Sequence, residues 1–563
     1  MIFSRILGAV FLALAAGQSS APRTAPATQP AHDWPMWGGT PARNPVASAA
    51  AAGRGLPAEW DVETKQNIKW SAPLGSTSYG GPVVAGGKVL VGTNNAGEYR
   101  PHSQGDKGCV LCFDAANGKL LWQATHDKLA SGPANDWPEQ GIASTPCVDG
   151  DRVYYVSNRC ELVCADLAGF RDGENDGPYK DEKHTDPEDA DFVWILDMIG
   201  TLGVFPHNLA ACAPVGAAVQ NAECRIQNAE CRKQNPDRAG DVRDLVFVCT
   251  SNGVDEEHAK PPAPDAPSFI AVNKKTGAVV WKRNDPGERI FHGQWSSPAY
   301  GVIAGTPQVV FGGGDGWCYA FAPATGELLW KFNLSPAGTQ WEPGGAGQAT
   351  SIVATPVIVT DEVAGGRVYL AVGDDPENQR GPGHLYAIDA TKRGDITESG
   401  RIWHFGAGGV AVGQVEPPSA SQPVGTYPAA RPALPSGDKA TKTAGRGDFG
   451  RTLSSVAVAD GVVYAADLDG FLYCLDAHTG QRIWKYDMQA AVWGSPLVAD
   501  GKVFLGNADG ELVVLEHAPR DTQPKEPKEL ARNDLRSPIY ATPAVAGGVL
   551  YVLTQKTLYA IGK

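Results

Sequence analysis

The chain has 563 residues, with 67 Gly, 43 Pro and 15 Trp against only 4 Met. So many turn-forming residues, together with frequent tryptophan, favour an all-β protein over a Leu-rich helical one. The formal net charge is −14, and no local cluster of Lys and Arg offsets it. The charge therefore argues against nucleic acid and membrane surfaces as partners.

The N-terminus has the layout of a secretory signal. Arg5 precedes an apolar stretch at 6–16 that is too short to span a bilayer, and small residues follow it. We expect a signal peptide at 1–17 and a flexible linker at 18–32, which is rich in Pro, Ala and Thr. The mature protein is then expected to be periplasmic or secreted and not membrane-spanning.

Two short signatures recur along the rest of the chain. The first reads CFDAANGKLLW at 112–122 and returns at 271–281, 320–330 and 474–484, with looser copies at 164–194 and 387–403. The second is Ser or Thr followed by Pro and then alternating apolar residues, with variants in some copies. It stands at 81–82, 145–146, 213–214, 297–298, 355–356, 455–456, 495–496 and 542–543.

Each repeat predicts four strands, and one such sheet cannot bury both of its faces alone. The signatures therefore predict an all-β, eight-bladed β-propeller at 33–563. The last unit lacks a fourth strand, and Asn67–Trp70 is expected to complete it and close the ring. We also expect an inserted loop at 216–240 in blade 3, a low-complexity loop at 406–447 between blades 5 and 6, and an irregular blade 7, which has no Trp at the repeat position.

Cysteines occupy a repeat position that other units fill with alanine. Cys112, Cys164 and Cys474 stand where other copies have Ala271, Ala320 and Ala387. A small buried packing role explains them better than metal binding or redox chemistry.

The spacing Ala/Cys-x-Asp-x-x-x-Gly-x-x-x-Trp resembles the tryptophan docking motif of the quinoprotein alcohol dehydrogenase-like propellers. That superfamily has pyrroloquinoline quinone (PQQ)-like repeats and includes the BamB-type scaffold of outer-membrane assembly. The resemblance covers the chain from about residue 33 to the C-terminus. It implies a propeller whose blades are joined by tryptophan docking motifs, and it is compatible with either a quinone enzyme or a scaffold, because the motif residues need not touch a cofactor.

In a propeller, the loops before the inner strands and the loops between the second and third strands open on one face, the funnel face. Long loops with aromatic and charged residues on this face are where such folds place their sites. For any single residue, strand capping or pairing at a blade junction is the competing explanation. The residues that we assign to this face are Asn94, Tyr99, Arg100, His102, Trp137, Glu139, Asn252, Asp255, Glu256, His258, Phe291, His292, Gln294, Trp295, Trp341, Glu342, Asp374, Asp375, Glu377, Asn378, Arg380, Asp448, Arg451 and Trp493.

Two functions follow from this arrangement. The first is a binding or scaffolding module that holds a protein, peptide or glycan at the funnel face without chemistry. The second, implied by the resemblance, is a dehydrogenase that uses PQQ and calcium to oxidise a small alcohol or sugar. The chain has neither an adjacent Cys pair nor a Cys-x-x-Cys-His haem segment, which favours the first function, although soluble sugar dehydrogenases also lack both.

For the enzyme, carboxylates and aromatic or polar neighbours on the funnel face are the candidates. The candidate calcium ligands or catalytic base are Asp255, Glu256, Asp374 and Asp375. The candidate cofactor-binding residues are Trp295, Trp493, Arg380, Arg451, His292, Asn252 and Asn378.

Overall fold

A computed structural model describes residues 32–220, 242–335, 339, 351–360, 365–373, 382–406 and 449–563. Its strands form eight separate sheets, each of four strands or more. The predicted all-β, eight-bladed β-propeller is thereby confirmed. The expected signal peptide at 1–17 and all of the expected linker except His32 lie outside the described residues, as does the loop predicted at 406–447 apart from Gly406.

The chain begins its regular structure with the short helix α1 (Ala49–Ala52) and the strand β1 (Ile68–Pro73). Blade 1 follows with β2 (Val83–Ala85), β3 (Lys88–Asn94), β4 (Lys107–Asp114) and β5 (Leu120–Asp127). Blade 2 has β6 (Cys147–Asp149), β7 (Arg152–Val156), β8 (Glu161–Asp166) and β9 (Phe192–Asp197), followed by the helix α2 (Met198–Leu202). No helix in the described part of the chain is long and apolar enough to cross a membrane.

Blades 3 to 5 occupy the middle of the chain. Blade 3 has β10 (Val215–Gln220), β11 (Val242–Cys249), β12 (Phe269–Asn273) and β13 (Val279–Arg283). Blade 4 has β14 (Ala299–Ile303), β15 (Thr306–Gly312), β16 (Trp317–Phe321) and β17 (Leu328–Asn333). Blade 5 has β18 (Val357–Val359), β19 (Arg367–Val372), β20 (His384–Asp389) and, after the two-residue β21 (Gly394–Asp395), β22 (Arg401–Gly406).

The last three blades complete the ring. Blade 6 has β23 (Ala457–Ala459), β24 (Val462–Ala466), β25 (Phe471–Asp476) and β26 (Arg482–Asp487). Blade 7 has β27 (Leu497–Ala499), β28 (Lys502–Gly506), β29 (Glu511–Glu516) and β30 (Glu529–Asp534). Blade 8 has β31 (Ala544–Ala546), β32 (Val549–Leu553) and β33 (Thr557–Ile561).

Strand β1 is the fourth strand of blade 8. It pairs antiparallel with β33, so that Trp70 lies opposite Ala560.

The sheet of blade 4 has a fifth strand, because β21 from blade 5 pairs parallel to β17. In blade 3, β10 extends to Gln220, so the loop between its first two strands starts five residues later than the predicted 216.

The Ser/Thr-Pro signature joins neighbouring blades by hydrogen bonds around the central channel. A backbone N–H of one blade donates to the signature hydroxyl of the next at five junctions: Gly81 to Thr145, Ala213 to Ser297, Thr355 to Ser455, Ser455 to Ser495, and Ser495 to Thr542, at 2.8–2.9 Å. The preceding serines, Ser144 and Ser296, donate to backbone carbonyls across the two remaining sequential junctions. These buried bonds fix the width of the channel.

The repeated tryptophans join the blades farther from the axis. The indole N–H of Trp403 in blade 5 donates to the carbonyl of Ala477 in blade 6 at 3.0 Å, and four other tryptophans do the same at their junctions. Each docking tryptophan lies opposite a small residue of its own sheet, as Trp484 lies opposite Cys474. Since Cys112, Cys164 and Cys474 are all buried at this position, the structure supports the packing role expected for them.

Residues 32–53, which we call the closing segment, run along the inner strands of all eight blades. Their partners lie in each inner strand or in the residues directly before or after it. The pairs are Trp34 with Val84, Pro35 with Val148, Arg43 with Ala213, Pro41 with Tyr300, Ala42 with Ile358, Asn44 with Val458, Ala47 with Val498, and Ala51 with Gly548. The closing segment therefore crosses the central channel and contacts every blade.

Arg43 anchors this segment inside the ring. Its side chain is fully buried and donates hydrogen bonds to four backbone carbonyls, those of Trp37, Ala213, Pro214 and Pro298. Burial lowers the pKa of its guanidinium to about 10, which leaves it charged at neutral pH.

Blade 7 is a regular four-stranded sheet, which corrects the expectation that it would be the least regular. Ala531 takes the place of the docking tryptophan, opposite Val514. Residues just after the closing segment lie along the same strand: the backbone N–H of Trp60 donates to Asn533 at 3.0 Å, and Asn533 donates to the carbonyl of Ala58. Trp60 and Ala531 belong to one apolar cluster, so a tryptophan from elsewhere in the chain packs near the missing one.

The contact between Trp403 of blade 5 and the turn of blade 6 allows a test of how much tryptophan docking contributes to the stability of the ring. A Cβ at Gly480, which has a φ of 72°, would lie 2.7 Å from Trp403. A Cβ at Gly501, with a φ of 67°, would meet nothing within 4 Å. Both alanine substitutions carry the strain of a left-handed backbone, so Gly480→Ala should lower the free energy of unfolding by about 1–3 kcal/mol more than Gly501→Ala. Urea denaturation measures both, and equal losses would contradict the docking role.

Asp315, in the funnel-side turn of blade 4, predicts a pH dependence of stability. It is 4% exposed and accepts hydrogen bonds from the Tyr319 hydroxyl and the Trp317 backbone. Burial raises its pKa to about 6. The folded state therefore pays for a buried charge at pH 7, and this cost decreases as the pH falls through 6 and the carboxyl takes up a proton.

Asp315→Asn removes that charge. Relative to the variant, the wild-type protein should gain about 1 kcal/mol of unfolding free energy between pH 7 and pH 5. Denaturant titrations at both pH values measure the difference. The same exchange at the exposed Asp509 of blade 7 is the control, and an identical pH profile for the two variants would refute the prediction.

Candidate functional site

The central channel forms a blind pocket that opens on the funnel face. Its walls come from the start of the inner strand of every blade, and Trp37 of the closing segment also contributes to its lining. The volume is about 140 Å³. Most of the wall residues are small or carry a hydroxyl, Val353 and Leu453 add apolar side chains, and none of the described residues that line it is charged. They include Gly81, Thr145, Ala213, Ser297, Thr355, Ser455, Ser495 and Thr542.

Three half-buried aromatic rings border this central pocket, and we call them the aromatic arc. Tyr79 and Tyr540 stack with their centroids 5.8 Å apart, and Trp493 lies 5.0 Å from Tyr540. All three contribute to the lining of the pocket. Sequence reasoning assigned Trp493 to this face but missed both tyrosines, which precede the inner strands of blades 1 and 8.

Several predicted site residues lie together where blades 3 and 4 meet. Asn252 is fully buried, accepts from the backbone of Phe205 and donates to Ala263, so it holds two loops together. Trp295 donates from its indole to the carbonyl of Leu209 at 3.1 Å. The Asp255 carboxylate accepts from the backbone of Ala259 at 2.6 Å and closes a turn.

The other candidates are more scattered. Glu256 is exposed, and the half-buried Arg451 precedes the inner strand of blade 6. Asp374, Asp375, Asn378 and Arg380 lie outside the described residues, as do Trp341, Glu342, Glu377 and Asp448. The roles of these residues as ligands or base remain predictions.

The predicted cluster in blade 1 supports a loop of blade 2. Arg100, whose side chain is 7% exposed, forms ion pairs with Asp186, Glu188 and Asp189. His102 lies 3.3 Å from Asp189 and stacks on His184. These side chains anchor residues 184–189 against the funnel-side loop of blade 1.

The loop of blade 2 that contains residues 184–189 also encloses a second cavity, at the outer edge of blades 1 and 2. Its volume is about 530 Å³, and charged groups of both signs line it, among them Lys107, Arg159, Glu161 and Lys183. Burial would raise the pKa of Glu161, but the hydrogen bond from His126 and the charges of His126 and Arg159 outweigh it and lower this pKa to about 2. The sequence contained no sign of this cavity, because the loop that closes it lies between β8 and β9, on the opposite side of the repeat.

Three histidines converge beside Trp295. His207 and His258 lie in two loops of blade 3, His292 lies in the loop that leads into blade 4, and one side-chain nitrogen of each lies within 4.8 Å of the others. Within the described residues, this is the one group of three or more His, Cys, Asp or Glu side chains placed to hold a metal ion. Sequence reasoning placed His258 and His292 on this face but missed His207, although it too precedes an inner strand.

The described residues do not fit PQQ with calcium. The quinone carries three carboxylates, which need cationic or N–H partners in a buried site, whereas the described lining of the central pocket is uncharged. The pocket volume of about 140 Å³ is also below the roughly 300–1,000 Å³ typical of ligand pockets. Calcium takes six to eight oxygen ligands, and Asp255 and Glu256 do not belong to the group that the structure brings together.

Short stretches of the chain are similar to two kinds of known protein. Quinohemoprotein alcohol dehydrogenase ADH-IIG from Pseudomonas putida is 45% identical over 65 residues, which is 10% of this chain and 9% of that protein. Outer membrane protein assembly factor BamB from Xanthomonas campestris pv. campestris is 36% identical over 72 residues, 11% of this chain and 18% of that protein. The chain thus matches less than a fifth of the length of either relative.

Among solved structures, BamB from Moraxella catarrhalis superposes with a TM-score of 0.47 and 12% identity, covering 87% of this chain and 98% of that one. The profile of the family described as "Outer membrane protein assembly factor BamB" matches residues 60–175, 242–392 and 383–523, more than half of the chain. With its eight blades and PQQ-like repeats, the chain belongs to this family.

Proposed function

We propose that the protein is an exported binding module that holds a segment of a partner protein at its funnel face and carries out no chemistry there. The observation that carries this proposal is the aromatic arc beside a blind, uncharged pocket. The pocket volume of about 140 Å³ suits one inserted side chain. Half-buried aromatic rings around such a pocket are typical anchors of protein interfaces.

The rigidity of the ring supports the same function. The pocket walls are the hydroxyls and glycines that join the blades, so the binding surface exists before a partner arrives and little ordering entropy is lost on binding. The charge of the whole chain adds a preference. With a formal net charge of −14, the protein attracts neutral or basic segments more readily than acidic ones.

The alternative is a PQQ- and calcium-dependent dehydrogenase that oxidises an alcohol or sugar. The short match to a quinohemoprotein alcohol dehydrogenase favours it. The uncharged lining of the central pocket argues against it.

The proposed function predicts a specific role for Trp493. Peptides selected from a displayed random library against the full chain should bind it saturably in fluorescence anisotropy. Trp493→Ala should weaken that binding at least tenfold, because anchor aromatics at interfaces contribute about 2 kcal/mol or more. Tyr559→Ala, which removes a half-buried ring from the third strand of blade 8, should leave the affinity unchanged.

Three outcomes would overturn the proposal. One is a library that yields no saturable binder, and another is an equal loss of affinity in the two variants. The third is saturable binding of PQQ with calcium together with dye-linked alcohol or sugar oxidation, which would establish the dehydrogenase. A glycan array on the same protein tests whether sugar rings rather than peptides occupy the aromatic arc.

A further inference from the structure

The three histidines at the junction of blades 3 and 4 form a site that the proposed function does not use. His207 is fully buried, His292 is 3% exposed and His258 is half-buried. The Nε2 atoms of His258 and His292 lie 2.8 Å apart. The ring centroid of His207 lies 4.7 Å from that of His258 and 4.4 Å from that of His292. One side-chain nitrogen of each ring thus lies within 4.8 Å of the other two.

The backbone around the cluster is shaped for this approach. Gly253 allows two loops to touch, because a Cβ there would lie 2.6 Å from the Cβ of His207 and 2.9 Å from the carbonyl oxygen of His292. His258 has a φ of 57°, in the left-handed region that side chains seldom adopt. The turn that Asp255 closes holds it there. Strained positions of this kind tend to occur at functional sites.

The hydrogen bond of His207 decides which of its two ring nitrogens carries the proton and which keeps a lone pair for a metal ion. Its Nδ1 lies 3.0 Å from the carbonyl oxygen of Val254. A carbonyl only accepts, so Nδ1 carries the proton, and in the neutral ring Nε2 keeps its lone pair. Metal-binding histidines are commonly oriented in this way, with the second ring nitrogen donating to a backbone carbonyl.

We propose that His207, His258 and His292 bind one divalent transition-metal ion of the zinc class. Zinc–nitrogen bonds of about 2.0–2.1 Å in a tetrahedral site put two ligand nitrogens about 3.3 Å apart. The observed separations, from 2.8 Å for one pair up to a limit of 4.8 Å, bracket this value. Imidazole ligands favour zinc, copper or nickel over calcium and magnesium, which prefer oxygen.

A metal ion at this position would affect the protein in two ways. Two of its ligands belong to blade 3 and the third precedes blade 4, so the bound ion links two blades at the funnel face. Three histidines also leave a tetrahedral ion with one open coordination position. His258 is the least buried of the three ligands, so water or a carboxylate of a bound partner can reach that position from its side.

Metal titration of the full chain, produced without a polyhistidine tag, tests the site. After treatment with a chelator, one equivalent of zinc should bind in competition with a chromophoric chelator, and a large excess of calcium should not displace it. Cobalt in place of zinc should give the visible absorption of a tetrahedral ion. Zinc should also raise the thermal midpoint, since a ligand that binds only the folded state stabilises it.

His258→Gln removes the most exposed ligand and should weaken zinc binding at least about tenfold, as changes around metal sites do. His478→Gln, in a turn of blade 6 away from the cluster, is the matched control and should bind as the wild-type protein does. Binding below one equivalent, equal weakening in the two variants, or displacement by calcium would overturn the proposal. If His258→Gln does not fold, the cobalt spectrum and the thermal shift of the wild-type protein decide the question.

Discussion

Hydroxyl groups at the start of the inner strands hold this ring together, and the rest of the structure depends on them. A four-stranded blade has two apolar faces and is stable only against its neighbours. The bonds from Gly81 to Thr145 and from Ser495 to Thr542 set how closely those neighbours approach at the axis. Farther from the axis, the indole N–H of Trp403 also donates to a residue of the next blade, the carbonyl of Ala477. Together these contacts fix both the tilt of the blades and the width of the pocket between them.

Much of this architecture could be predicted because it repeats. The Ser/Thr-Pro and Gly-x-x-x-Trp signatures recur from blade to blade, although the number of residues between copies varies, so a local pattern located every blade. The bonding role of the hydroxyls could not be read in the same way, since it depends on contacts between consecutive repeats. The closing segment was missed for a related reason: residues 32–53 contain no repeat, and their partners lie up to several hundred positions away.

The candidate site was harder to predict, because loops of unequal length bring its parts together. The sorting of loops by face placed His258, His292 and Trp295 on one face among many other residues, and the structure shows that these three lie together. The same rule could not distinguish a ligand from a support. Asn252 and Arg100 look like functional groups in the sequence, yet the structure uses them to connect loops. No other histidine lies near His207 in the sequence, and only the fold brings it beside His258 and His292.

The closing segment also constrains the order in which the molecule can be completed. Residues 32–53 are made before any blade, but their contacts include Val498 of blade 7 and Gly548 of blade 8. The fourth strand of blade 8 is likewise made first and used last. Loop closure over such distances is slow compared with the pairing of adjacent strands. The contacts of this segment with blades 7 and 8, unlike those with blades 1 and 2, therefore form only when synthesis is almost finished. A blade-by-blade assembly then ends with the step that closes both the ring and the floor of its pocket.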